Sequence, residues 1–111
     1  MPFEDQKRIL HKALIVRILE GDGKASREQR HAAFDNAGPE SLRALVSKVA
    51  TTPTRVTGED FAAARASGYS EDQIFELVIC AAVGQSARQY EAGLDALDKA
   101  MAGEEGVDHA S

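Results

Sequence analysis

Cysteine is nearly missing from this chain, which has a single one among 111 residues. One cysteine cannot form an internal disulfide, and it cannot supply a Cys-x-x-Cys pair for redox chemistry or zinc binding. The sequence also contains no glycine-rich phosphate loop, no Ser-His-Asp order and no metal-ligand spacing. We therefore expect no cofactor and no metal site.

Long apolar runs and strong positive charge are absent as well. The longest apolar run is far shorter than the roughly 20 residues that cross a bilayer, and the charged N-terminus does not resemble a signal peptide. We therefore expect a cytoplasmic protein with no membrane partner. The net charge of −5 argues against nucleic acid as a partner.

The charge is unevenly distributed along the chain. Residues 1–35 carry seven Lys and Arg against six Asp and Glu, so the remaining residues carry a net charge of −6. The N-terminal part either lies against the acidic remainder of its own or a neighbouring subunit, or it forms a solvated mixed-charge helix surface. The solvated surface is the more common outcome for such a segment.

Helix-forming residues dominate, and no stretch shows the sustained alternation of a β-strand. The sequence therefore predicts an all-α bundle of about five helices in a single domain over residues 1–102. Residues 103–111 have no core-forming pattern and are expected to form a mobile tail. The predicted helices span residues 4–20, 26–36, 39–51, 57–68 and 70–101.

The fifth predicted helix carries the strongest pattern. Ser70 and Gln73 have the spacing of a capping box, in which each side chain bonds the other residue's backbone N–H, and Ser26 and Gln29 have the same spacing at the start of the second predicted helix. Nine of the 11 residues from Ile74 to Gly84 are apolar, which indicates a helix packed on all sides, as the spine of a core or of an oligomer. A glycine inside a helix costs roughly 1 kcal/mol relative to alanine, so Gly84 indicates either the close approach of another backbone or a local bend.

The segment Ala63-Ala64-Arg65-Ala66-Ser67-Gly68-Tyr69-Ser70, followed by an acidic turn, Ile74 and an alanine-rich helix, resembles the carboxymuconolactone decarboxylase and alkylhydroperoxidase D family. The resemblance covers roughly residues 38–101. It implies an all-helical fold and assembly through the long helices into dimers, trimers or hexamers, so we expect a homo-oligomer.

The chain departs from the peroxidase branch of that family at its reactive residues. The Cys-x-x-Cys-x-x-x-His motif of that branch would fall on Pro53, Val56 and Asp60. Peroxide reduction needs one thiolate to attack and a second thiol to resolve the sulfenic acid. The resemblance therefore does not carry dithiol peroxidase activity to this chain, and Asp60 is better explained as part of a helix start.

Several side chains remain as candidates for chemistry. Glu76 is the sole charge within the apolar stretch, and Arg88 follows three helical turns later. A carboxylate in apolar surroundings has a raised pKa or a paired cation, so Glu76 is the candidate acid or base. The alternatives are that Glu76 reaches solvent near the helix start or pairs with an arginine across an interface.

Other candidates surround these two residues. Arg88 with Gln85 and Tyr90 either lines a pocket for a small acidic ligand, with Arg88 as a two-pronged donor, or forms an interface rim. Cys80 lies in the most apolar stretch, where burial raises a thiol's pKa, so an inert core role is favoured over a nucleophile. His11 and His31 fall on different helices, where surface positions are more common than ligand positions.

Three functions stay open. The first is a member of the family without redox cysteines that binds a small molecule or acts as an oligomeric interaction module. The second is a non-redox enzyme of the decarboxylase or lyase type, with acid–base chemistry at Glu76 and anchoring by Arg88. The third is a structural subunit that pairs with a cysteine-bearing relative.

Overall fold

The structure is a computed structural model that describes the backbone of residues 2–110 and the side chains of residues 6–103. Within this range the chain is all-α, as predicted, with five α-helices and one short 3₁₀ turn. The α-helices are α1 (Pro2–Glu20), α2 (Arg27–Phe34), α3 (Glu40–Thr51), α4 (Gly58–Ala66) and α5 (Glu71–Ala110), with the 3₁₀ turn at Pro53–Arg55.

Two helix starts follow the capping boxes that the sequence predicts. At α2, the backbone N–H of Gln29 donates to Ser26 Oγ (3.0 Å) while Ser26 N–H donates to Gln29 Oε1 (2.9 Å). At α5, Gln73 N–H donates to Ser70 Oγ (3.1 Å) and Ser70 N–H donates to Gln73 Oε1 (2.8 Å). These bonds satisfy N–H groups that have no partner within the helix.

The start of α4 also ties α4 to α3. The backbone N–H of Thr57 donates to Asp60 Oδ2 (2.9 Å), and Lys48 Nζ lies 3.0 Å from Asp60 Oδ1. The bond from Thr57 and then that from Lys48 hold the pKa of Asp60 below its usual range. Asp60 is therefore part of a helix start, as the sequence indicates.

The core forms where α2 and α3 pack against α5. Helix α1 and the short α4 make smaller contacts at its edges. Its buried side chains are short or branched and come from every helix: Leu19, Ala25, Ala33, Leu42, Leu45, Val46, Ala64, Ile74, Leu77, Cys80 and Ala81.

Helix α5 runs farther than the sequence indicates. The prediction ended it near Met101, but the helical backbone continues to Ala110. The predicted tail, residues 103–111, therefore includes helical backbone. Its predicted mobility lies outside what the structure describes, as do the side chains of residues 104–111.

No helix in the described part of the chain is long and apolar enough to cross a membrane.

Candidate functional site

Glu76 holds the loop between α1 and α2 onto helix α5. Its carboxylate oxygens accept bonds from the backbone N–H of Lys24, at 2.8 and 2.9 Å, and Oε2 accepts a further bond from Ala25 N–H at 2.6 Å. Hydrogen bonds from backbone N–H groups to a carboxylate are shorter and stronger than those between neutral groups. Both oxygens of Glu76 are therefore engaged in joining two parts of the fold.

The loop fits closely around this carboxylate. A Cβ atom on residue 23 would lie 2.6 Å from Glu76 Oε1, so any other residue there would require the Glu76 carboxylate to move. Gln73 adds a bond from its side-chain amide to the Lys24 carbonyl at 3.3 Å. The loop thus presents two N–H groups to Glu76 and one carbonyl to the preceding turn of α5.

Gly84 lies where the end of α2 meets α5. A Cβ atom on residue 84 would overlap the carbonyl oxygen of Phe34 and lie 2.9 Å from the Phe34 Cα. Of the two explanations that the sequence offered for this glycine, close approach of another backbone is confirmed.

Arg88 completes the same junction. Its Nη1 donates to the Phe34 carbonyl oxygen at 2.6 Å, and its Nη2 donates to Gln85 Oε1 at 3.0 Å. The carbonyls of a helix's last turn lack partners within the helix and carry partial negative charge, so a guanidinium stabilises that end. Arg88 and Gln85 therefore join α2 to α5.

Arg30 stabilises the end of α1 in the same way, by donating to its last carbonyls. It was not among the residues predicted from the sequence. It is only 5 % exposed, and its Nη1 donates to the carbonyl oxygens of Gly21 (2.6 Å) and Ile18 (3.1 Å). The available signal was a helix end at Gly21 followed by a positive charge one turn into the next helix. That signal is weak because Arg27 has almost the same position.

Tyr90 belongs to the contact between α1 and α5. Its ring lies 4.6 Å from the ring of His11, centroid to centroid, at an interplanar angle of 40°. Beside this pair, a cleft of about 430 Å³ opens between the two helices and is lined by His11, Lys12, Ile15, Phe34, Ala87, Arg88 and Glu91.

The predicted catalytic pair, Glu76 and Arg88, lines two different clefts. Glu76 borders a smaller one of about 200 Å³, together with Arg17, Ile18, Asp22, Arg30, Ile79 and Cys80. Arg88 borders the cleft beside His11 and Tyr90. The structure therefore assigns Glu76, Gln85, Arg88 and Tyr90 contacts between helices, and their catalytic or ligand-binding roles remain predictions.

Cys80 is buried in the core, 1 % exposed. This burial raises the pKa of its thiol above the usual value, because the thiolate loses its hydration. A thiol of this kind is a poor nucleophile at neutral pH. These properties agree with the inert packing role that the sequence favours.

The two histidines of helices α1 and α2 make separate contacts. The ring of His11 packs at a tilt against Tyr90, while His31 Nε2 lies 2.6 Å from Glu20 Oε1 and lowers the pKa of that carboxyl. Among the described residues, no group of three or more His, Cys, Asp and Glu side chains is placed to hold a metal ion.

Helix α5 has an open side that no other part of the described chain covers, so the expected packing on all sides is not completed within one subunit. Phe75 is 66 % exposed, Ile79 36 % and Leu97 51 %, and the side chain of Ala82 is exposed between them. The spacing of these residues places them on one face of the helix. At one end of this open side, a groove runs between α4 and α5. It is lined by Phe61, Arg65, Glu71, Asp72, Ile74, Phe75 and Val78.

Helix α1 also presents an apolar face to solvent. Ile15, Ile18 and Leu19 turn toward the core, but the outward face of the helix does not. This outward face consists of Ile9, Leu10, Ala13, Leu14 and Val16, and its large side chains are 54 to 70 % exposed. Contiguous apolar surface of this kind is typical of interaction sites.

No family model matches the chain, and searches of curated proteins and of solved structures find no match either.

Proposed function

We propose that this protein is an assembly module, a helical subunit that associates with a second copy of itself through the part of the open side of α5 around Phe75 and Ile79. The single observation that carries this proposal is the exposure of Phe75 and Ile79 in the most apolar stretch of the chain. Large apolar side chains cluster on monomer surfaces mainly where a partner covers them. The resemblance to the carboxymuconolactone decarboxylase family, in a form without redox cysteines, is part of this proposal.

The exposed area of the chain supports association. A globular protein of 11.9 kDa is expected to expose about 6,000 Å², whereas this chain exposes 7715 Å². The excess of about 1,700 Å² exceeds the roughly 800 Å² that each partner buries in an interface of standard size. The elongated shape of the molecule, 64 × 28 × 19 Å, contributes to the excess.

The bonds of Glu76 and Arg88 favour this proposal over an enzyme. An acid or base must reach the proton that it transfers, whereas Glu76 directs both oxygens at backbone N–H groups. Arg88 likewise directs its guanidinium at Phe34 and Gln85. Glu76 and Arg88 thus make contacts within the fold, while the apolar side chains of Phe75 and Ile79 are exposed.

Sedimentation velocity over a wide range of protein concentration tests the proposal. The wild-type chain should sediment as a dimer or larger species. Phe75→Ser should weaken association at least ~30-fold, since burial of one phenylalanine side chain contributes about 2 kcal/mol. Leu97→Ser is the matched control, an exposed apolar residue on the same face some 22 positions away. A wild-type chain that remains an 11.9 kDa monomer throughout would overturn the proposal.

A second candidate function is the binding of a small acidic ligand in the cleft between α1 and α5. The observation that favours it is the convergence of Lys12, His11 and Arg88 around a mostly apolar cleft of about 430 Å³. Native mass spectrometry of protein purified from its own cells tests it. A reproducible extra mass that disappears on denaturation, and that is lost in Lys12→Met, would support a bound ligand. A ligand-free spectrum would count against it.

A further inference from the structure

The chain exposes two separate apolar faces, and one arrangement of two copies covers both. The first is the open side of α5 around Phe75 and Ile79, and the second is the outward face of α1 around Ile9 and Leu14. We propose that α1 of one copy lies in the groove between α4 and α5 of the other, and that the contact is made twice around a two-fold axis. This inference rests on the proposed self-association.

The charges of α1 and of the groove are opposite in sign. Across α1, the four basic residues, Lys7, Arg8, Lys12 and Arg17, outnumber the three acidic ones, Glu4, Asp5 and Glu20. The groove between α4 and α5 carries Glu71 and Asp72 on its rim, and its one basic residue, Arg65, pairs with Glu71 at 3.0 Å. A helix with a small positive net charge therefore meets a rim with a small negative net charge, which favours this contact over a contact between surfaces of like charge.

The shape of the groove also suits a helix. Phe61 and Phe75 form two apolar walls around a space of about 520 Å³. The described part of α1 spans residues 6–20, about 22 Å at 1.5 Å per residue. An amphipathic helix that lays its apolar face into a groove between two helices is a recurrent recognition mode.

Symmetry distinguishes this arrangement from its alternatives. In a two-fold dimer, a contact between α1 and the partner's groove occurs twice, so it covers both apolar faces of both copies. Packing of α5 against the partner's α5 would leave Ile9, Leu10 and Leu14 exposed. Packing of α1 against the partner's α1 would leave Phe75 and Ile79 exposed. The reciprocal contact buries the most apolar surface.

Disulfide trapping between two differently labelled chains tests the proposal. One chain carries Ala13→Cys, on the outward face of α1, and the other carries Ala82→Cys, on the open side of α5 next to the groove. Both alanines are exposed, so the substitutions disturb little. The matched control replaces Ala82→Cys by Ala100→Cys, an exposed position on the same face about 27 Å farther along the helix. The wild-type chain reports any reaction of the buried Cys80.

The reciprocal contact predicts roughly ten-fold more disulfide between Ala13→Cys and Ala82→Cys chains than between Ala13→Cys and Ala100→Cys chains, because proximity raises the effective thiol concentration. Disulfides that join mainly two Ala82→Cys chains, in a sample that sediments as a dimer, would overturn this arrangement and leave self-association intact. A monomeric sample without mixed disulfides would overturn both.

Discussion

The two sides of helix α5 contrast in what they contact. On the side that faces α2, Glu76 binds backbone N–H groups of the loop that leads into α2. At the other end of α2, Arg88 binds the Phe34 carbonyl, and Gly84 leaves room for that carbonyl. On the open side, Phe75 is 66 % exposed and Ile79 is 36 % exposed. The conspicuous polar residues therefore make contacts within the fold, whereas large apolar side chains remain exposed on the other side of the helix.

This difference shows how a charge in an apolar helix should be interpreted. Glu76 resembles a catalytic group in the sequence because it stands alone among apolar residues. In the structure its carboxylate accepts bonds from the backbone N–H groups of Lys24 and Ala25, in the loop that precedes α2, and its catalytic role stays a prediction. A lone acidic residue thus has a structural explanation whenever a nearby loop must present backbone N–H groups to the core.

On the side of α5 that faces α2, the largest loss of stability is expected for Gly84→Ala. The added Cβ overlaps the Phe34 carbonyl, so α2 must move away from α5, and we expect a loss of about 3 kcal/mol in the free energy of unfolding. Urea denaturation at a fixed protein concentration measures it. Gly93→Ala on the same helix is the control. Its Cβ meets open space, and the higher helix propensity of alanine should stabilise the chain by about 1 kcal/mol.

The next largest effect is expected for Glu76→Gln. The amide keeps one acceptor oxygen but turns an NH₂ group toward backbone N–H donors, so the loop between α1 and α2 should lose about 2 kcal/mol of stabilisation. Thermal unfolding measures the change. Glu91→Gln, an exposed position on the same helix, should leave the transition in place. Unaltered stability of Glu76→Gln would restore the case for a catalytic carboxylate.

Arg30→Met and Arg88→Met compare two helix ends that are held by the same chemistry. Arg30 is buried and donates to two carbonyls of α1 and its end, whereas Arg88 is exposed and donates to one carbonyl of α2. We expect losses of about 2 kcal/mol and about 1 kcal/mol, respectively, because water can replace the bond of an exposed donor. Equal losses would show that burial does not control the strength of these contacts.

The smallest effect is expected for Asp60→Asn, which should remove part of the loss of stability in acid. Its pKa is lowered by the bonds from Thr57 and Lys48, so its contribution is complete above the unfolded-state pKa of about 3.9. That contribution is lost as the pH falls through the lower pKa of the folded state. Unfolding between pH 6 and pH 2 should show a shallower acid loss in Asp60→Asn. The remaining slope includes Glu20, whose pKa is lowered by His31.

Local signals in the sequence were sufficient to predict the number of α-helices and the starts of α2, α4 and α5, but not the end of α5. The capping boxes at Ser26 and Ser70 and the acidic start of α4 at Asp60 depend on residues three positions apart, which a sequence displays directly. For Gly84 the sequence offered two explanations, a close backbone approach and a local bend, and the structure confirms the first. Its partner was not, because 50 positions separate Phe34 from Gly84.

The contacts of Glu76 and Arg88 could not be predicted either, because their partners are also distant in the sequence. Glu76 and Lys24 are 52 positions apart, and Arg88 and Phe34 are 54 apart. Because nearly every residue type has the same backbone N–H and carbonyl groups, the sequence does not show which residue provides such a partner. The exposure of Phe75 was likewise hidden, because an apolar run has the same composition whether the chain itself or another copy covers it.

Hydroxyl-radical labelling of the wild-type chain, below and above the concentration at which sedimentation detects association, tests the central claim most directly. We predict that labelling of Phe75 and Leu14 falls together as copies associate, while labelling of Leu97 stays constant. Labelling of Phe75 that keeps the level of a side chain 66 % exposed at every concentration would contradict the account.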